Sequence, residues 1–217
     1  MRIDTFRRAI RLLGLVLPMT VLASSAQGQA YGIAVKTNTV NQKLTSVVLP
    51  AGEGTASNQD QSASVPGFVT AQDLFAIVSG DPDATDGSTA VSSATLGAVN
   101  LLNGLITADG VVAMASSSGD DAGVNSNAAG SSLANLVIGG SEVSDPAPNT
   151  RMNLPGVGYV LLNEQLPSGD GVTTSGMTVN MIHVVLQQPI LGLLGQVTGY
   201  RTVGDIVVGS AKSSVSR

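Results

Sequence analysis

The run "GMTVNMIHVVLQ", residues 176–187, decides the fold. It is apolar at nearly every position and rich in β-branched residues, the composition of an extended segment buried on both faces. Alternation places Met177, Val179, Met181, His183 and Val185 on one face and Asn180, Ile182 and Val184 on the other. "TVGDIVVGSA", residues 202–211, has the same character. These two runs are expected to be central strands.

Between them lies "QQPILGLLGQVTGYR", residues 187–201. Pro189 and three glycines interrupt regular structure, and Ile190, Leu191, Leu193 and Leu194 form a compact apolar cluster. If this connection projects, its tip is an exposed hydrophobic patch and a contact site. If it folds back, it caps the core.

The same strand-and-turn rhythm extends towards the N-terminus. "YGIAVKT", residues 31–37, alternates, with Tyr31, Ile33 and Val35 on one face. "LTSVVLP" stops at Pro50, and "AGEGTASNQDQSAS", residues 51–64, reads as loose and polar. A strand is expected around Leu74 to Val78. "VNLLNGLITADG", residues 99–110, carries Asn103-Gly104 and Asp109-Gly110, which accept positive φ and mark strand-turn-strand. A helix competes there, because Ala98, Leu101, Leu102 and Leu105 have helical spacing, but the glycines weaken it.

"GVVAMASSS" and "SLANLVIGG" read as strands, "GDDAGVNSNAAGS" as a turn-rich link, and "SDPAPNTRMNLPG" as an extended connector. "VGYVLLNEQ", residues 157–165, adds another strand. The expected total is nine or ten strands. They form an all-β, two-layer antiparallel β-sandwich, jelly-roll-like, over residues 31–217.

Residues 1–30 read differently. "MRIDTFRRAIR" is basic, "LLGLVLPMTVLA" is a short apolar run, and "SSAQGQA" is small and polar. That order describes a signal-peptide helix for export, with cleavage after Ala30 or after Ala26. The apolar run is too short to span a bilayer comfortably, and no second span is expected.

Fourteen acids and six bases remain after residue 30, once Arg2, Arg7, Arg8, Arg11 and Asp4 are set aside. No basic patch exists, which argues against a nucleic-acid partner. The chain has no cysteine, so disulfides and thiolate metal sites are excluded. Charged residues make up 12% of the chain, against a usual value of about 25%. Much of the surface must therefore be Ser, Thr, Asn and Gly.

Two features invite a chemical reading. "SGDPDATDG", residues 79–87, places Asp81, Asp83 and Asp86 close together, and carboxylates on a turning backbone suit calcium. The helix-loop-helix calcium pattern fails, however, because Gly87 comes one place late and no closing glutamate follows. The other reading is an Asx-type turn between strands. Asp120 and Asp121 carry the same two readings.

His183 is the single histidine. A catalytic histidine needs a positioned partner, and a zinc site usually needs several ligands. The expectation is a half-buried histidine bonded to backbone or to asparagine. Glu164 and Asp205 receive no role in glycoside chemistry, and no nucleophile elbow or phosphate loop is present.

In order, "LLNGLITADGVVAMASSS", "SLANLVIGG", "PAPNTRMNLPGVGYVLLNEQ", "TVNMIHVVL" and "GDIVVGSA" resemble the choice-of-anchor P group of exported bacterial proteins. The resemblance covers most of residues 90–211, and "YGIAV" extends it. It implies a secreted or surface-associated domain, and it carries no catalytic residues. Asn180 and His183 match the group's strand phrase, which implies a structural role for His183. The apolar richness of residues 187–200 departs from the group and favours noncovalent association.

The function expected from all this is noncatalytic: a secreted β-domain of the envelope or extracellular matrix. Its partners would be further copies of itself or an envelope protein, and it would need no cofactor. A second reading is a ligand-binding module for glycan or calcium that uses the Asp-rich turns.

Overall fold

The computed structural model describes residues 24–84 and 87–217. Residues 1–23 of the expected leader helix, and Asp86, lie outside the described residues; the leader's last residues, from Ser25, are strand. In chain order the strands are β1 (Ser25–Thr37), β2 (Asn41–Val48), β3 (Gly54–Val65), β4 (Val69–Ala84), β5 (Gly87–Leu96), β6 (Val99–Leu101), β7 (Ile106–Ala108) and β8 (Gly110–Asp120). There follow β9 (Gly123–Asn127), β10 (Ser132–Ala134), β11 (Leu136–Ile138), β12 (Ser141–Val143), β13 (Thr150–Leu154), β14 (Gly158–Ser168), β15 (Thr174–Leu191) and β16 (Val197–Ser216).

They form two antiparallel sheets, and the expected sandwich is present. The first has the order β13-β14-β15-β16-β1-β2. The second has the order β10-β8-β5-β4-β6-β7-β11-β12, with β3 on β4 and β9 on β8. Facing side chains such as Ile33, Leu74, Leu96, Met181 and Ile206 are buried in one core. β15 and β16 are central strands, as their two-faced apolar character required.

Among the described residues the strands number sixteen rather than nine or ten, because five of them are only three residues long. Residues 54–65, expected to be loose, form β3, paired along its whole length with β4. Its side chains are almost all exposed, so backbone ladder bonds rather than burial hold it as an edge strand. The link after β8 contains the β8–β9 hairpin. The 99–110 segment is strand-turn-strand, with Leu102, Asn103 and Gly104 all at positive φ.

The domain also begins earlier than Tyr31. Ser25–Ala30 pair with 211–216 of β16, and Ala26 and Ala30 are buried in the core.

The sheets approach closely. Cα atoms of β16 come within 8 Å of β5 and β8, against about 10 Å for ordinary stacked sheets. Small residues make this possible. Ala90, Ala94, Ala113, Ala115, Ala211 and Ser213 line the seam. Hydroxyls there bond across it: Ser92 Oγ donates to the Lys212 carbonyl at 2.6 Å, and Ser117 and Ser213 pair at 2.7 Å.

Strict alternation fails along one line across the first sheet. Thr45 in β2, Gly209 in β16 and Asn163 in β14 take φ of 51°, 66° and 49°. Gly32 and Met181 lie between them, bracketed by the pairs Tyr31↔Ser210, Ile33↔Val208, Asn180↔Ser210 and Ile182↔Val208. On one side of this line Ile33, Val208 and Ile182 point into the core; on the other Ala30, Ala211 and Val179 do. Met181 and Ile182 are therefore both buried although adjacent. The alternation expected for β15 and for residues 31–37 is corrected accordingly. Asn180 and His183 share the outer face, and Tyr31 leaves the face of Ile33.

Gly209 and Gly32 also permit this shift sterically. A Cβ at Gly209 would lie 2.6 Å from Val111 Cγ1, and one at Gly32 would lie 2.7 Å from Leu74 Cδ2. Both glycines face the second sheet at contact distance.

Candidate functional site

The phase shift gathers the polar residues of the central strands on the outer face of the first sheet. Ser210 Oγ donates to Asn180 Oδ1 at 2.7 Å, and Asn180 Nδ2 donates to Glu164 Oε2 at 2.7 Å. His183 Nδ1 contacts the same Glu164 oxygen at 3.0 Å, and His183 Nε2 contacts Asp205 Oδ1 at 3.4 Å. Tyr31, paired with Ser210, brings its phenol against that hydroxyl. The chain Tyr31–Ser210–Asn180–Glu164–His183–Asp205 thus crosses four strands.

Sequence reasoning gave Glu164 and Asp205 no role in glycoside chemistry and placed His183 against backbone or asparagine. His183 is half-buried as expected, but its partners are the two carboxylates. The signal was present as a single acid or histidine in each of three largely apolar runs. Adjacent hairpin strands bring such residues side by side.

Glu164 is held below its ordinary pKa, first by the hydrogen bond from His183 and then by that from Asn180, against the opposing effect of burial. For His183 burial is the largest single influence and acts downwards. The hydrogen bonds and charges of Glu164 and Asp205 together outweigh it, so its pKa is raised. Each ring nitrogen thus faces a carboxylate oxygen. Burial raises the Tyr31 phenol above its ordinary value. Among the described residues, no group of three or more His, Asp or Glu is arranged to hold a metal.

The Asp-rich turns are locally satisfied. The Asp83 N–H donates to Asp81 Oδ1 at 2.9 Å, an Asx turn at the end of β4. Asp120 Oδ1 accepts from the N–H groups of Ala122 and Gly123 at 2.8 and 3.0 Å. Arg217 closes over this second turn, donating to the carbonyls of Asp120 and Asp121. Asp170 makes a tighter turn that sequence reasoning missed. Its Oδ1 takes the N–H groups of Val172, Thr173 and Thr174, and bonds from Thr173 and from these backbone groups push its pKa far down.

The 187–201 connection projects. β14 pairs with β15 only as far as Leu186, and β1 pairs with β16 only as far as Gly204. Beyond these points β15 and β16 pair with each other alone. Leu193 and Leu194 at the tip are 105% and 92% exposed, and Ile190 and Leu191 are exposed too. Residues 188–201 carry one charge, Arg201, whose guanidinium donates to Gln188 Oε1 at 2.8 Å. At the root of the hairpin a recess of about 420 Å³ is lined by Arg151, Leu154, Pro155, Val157, Pro189 and Tyr200.

An antiparallel two-sheet domain with an outward polar network and a free apolar hairpin is a β-sandwich module. The chain belongs to the family described as Domain of unknown function (DUF8256), which it matches over residues 23–162. That span opens next to the start of β1 and closes in β14, so His183, Asp205 and the projecting hairpin lie beyond it. No curated protein and no solved structure matches the chain.

Proposed function

We propose that this chain is a secreted, noncatalytic β-domain that acts by surface association in a bacterial envelope or extracellular matrix. The observation that carries this reading is the β15–β16 tip, where Leu193 and Leu194 stand almost wholly in solvent. Four exposed aliphatic side chains on one rigid hairpin are costly to leave in water, and contact with a partner removes that cost. The engagement of both His183 nitrogens supports a structural role for the polar network. The resemblance to the choice-of-anchor P group and the basic-apolar-small order of residues 1–30 support export.

The test is fractionation of the native cells, with light scattering on the exported protein. Recovery in the envelope or in assemblies is expected. A freely diffusing monomer at high concentration, found only in the medium, would refute the reading.

A further inference from the structure

The hairpin tip has the properties of a segment built to enter a lipid phase. An inserted segment must satisfy its own backbone groups, because hydrocarbon offers no hydrogen bonds. The tip does so. The Gly192 N–H donates to the Gln196 carbonyl at 2.8 Å, and the Gly195 N–H donates to the Gly192 carbonyl at 3.0 Å. The Leu194 N–H donates to Gln196 Oε1 at 3.1 Å, and Thr198 Oγ1 donates to the Ile190 carbonyl at 3.0 Å.

Charge is arranged to match. Residues 187–204 and 146–163 contain no carboxylate, although the chain is acidic overall. Two of the six bases after residue 30 stand at the hairpin root: Arg151 lines the recess, and Arg201 lies next to Tyr200. Tyrosine and arginine at the boundary between apolar tip and polar body are the residues that settle at lipid headgroups. The free part of β15, from Gln188 to Leu191, reaches about 10 Å beyond the sheet at ~3.3 Å per residue. That matches the roughly 5–10 Å needed to reach the acyl boundary.

We infer that the β15–β16 tip inserts Leu191, Leu193 and Leu194 into the outer layer of a phospholipid bilayer, with Arg151 and Arg201 on the headgroup phosphates. The inference rests on the surface-association reading and names its partner. A second copy of the chain is the less favoured occupant. The apolar recess at the root of the hairpin belongs to the same end of the molecule, and the small recess beside Leu49 and Lys212, about 250 Å³, is too narrow for several leucines.

The experiment is flotation of the exported protein with phosphatidylcholine vesicles, and with vesicles that include phosphatidylglycerol. Co-flotation is expected. Leu193→Asp with Leu194→Asp should lower it at least tenfold with an unchanged melting temperature, since both side chains are exposed. Arg151→Gln with Arg201→Gln should lower it severalfold. Leu194→Trp should shift its emission to the blue on vesicles and be quenched by brominated acyl chains. Absence of flotation, or flotation indifferent to the paired aspartates, overturns the inference. So does a dimer in solution that the aspartates dissociate, because the tip is then a protein contact. Envelope recovery from cells without vesicle binding removes the lipid contact alone; recovery as a free monomer in the medium removes the surface-association reading itself.

Discussion

His183 Nδ1 and Glu164 Oε2 meet at 3.0 Å across β15 and β14, and Asp205 closes the opposite side of the ring at 3.4 Å. The pair links stability to pH. The raised His183 pKa stabilises fully below its unfolded value of 6.5, and this contribution is lost as pH rises through the folded value. The lowered Glu164 pKa stabilises above its unfolded value of 4.5, and this is lost as pH falls through the folded value. The contribution of the pair is therefore complete between these two unfolded values. Thermal melts should be highest near pH 5.5 and fall towards pH 9, and His183→Gln should flatten the alkaline side. An unchanged alkaline slope in the variant would show that the pair is not its source.

Removing one partner should cost more than exchanging a surface charge. Glu164 is buried and also serves Asn180. Glu164→Ala leaves His183 and Asn180 without their acceptor, at a cost of about 2–4 kcal/mol. Glu164→Gln keeps an acceptor oxygen and should cost roughly half as much. Denaturant unfolding of the two variants measures both.

The line of shifted alternation has its own test. Gly209 combines φ of +66° with Val111 only 2.6 Å from where a methyl would stand, whereas Gly195 at φ +76° has nothing within 4 Å. Gly195→Ala should cost about 1 kcal/mol for the left-handed backbone alone. Gly209→Ala should cost about 2–4 kcal/mol, because overpacking adds to it. Equal losses would mean that the second sheet yields freely at Val111.

Much of this architecture was legible in the residues. The runs 176–187 and 202–211 are apolar on both parities, which requires a central place in a sheet, and both have one. Asn103-Gly104 marked its turn because those residues accept positive φ. The projection of 187–201 was one of two outcomes open to an apolar tip broken by Pro189. What stayed hidden depends on contacts distant in the chain. β3 looked loose because its stability lies in backbone bonds to β4, which leave no hydrophobic trace. The His183 network was obscured because a reading by strict alternation puts Asn180 and His183 on opposite faces. Only the shift at Met181, imposed by Gly209 and Asn163 in the flanking strands, turns them to the same side.

Truncation of the N-terminal half of β1 bears directly on the first sheet. Ser25–Ala30 supply half of the β1–β16 ladder, and Ser25 Oγ pairs with Ser216 Oγ at 2.8 Å. A chain beginning at Tyr31 should melt lower than one beginning at Ser24 by about 10 °C, given ~2–4 °C per kcal/mol at this size. Thermal melts of the two purified forms measure this; equal midpoints would show that Ser25–Ala30 add nothing to the sheet.

Calcium should not stabilise the protein through Asp81 and Asp83, because among the described residues no third carboxylate or histidine joins them to hold a metal. Melting in millimolar calcium or in chelator should agree within error, since a ligand specific for the folded state would raise the midpoint with concentration. A concentration-dependent rise abolished by Asp81→Asn would reverse this.

β1 lies against β16, so the first described strand is completed by the last. The two meet only after everything between them has been synthesised, which makes closure of this sheet a late event. Until then β1 has only β2 for a neighbour in its sheet. A nascent chain stalled before Val197 should accordingly show weaker amide protection in β1 than the full chain.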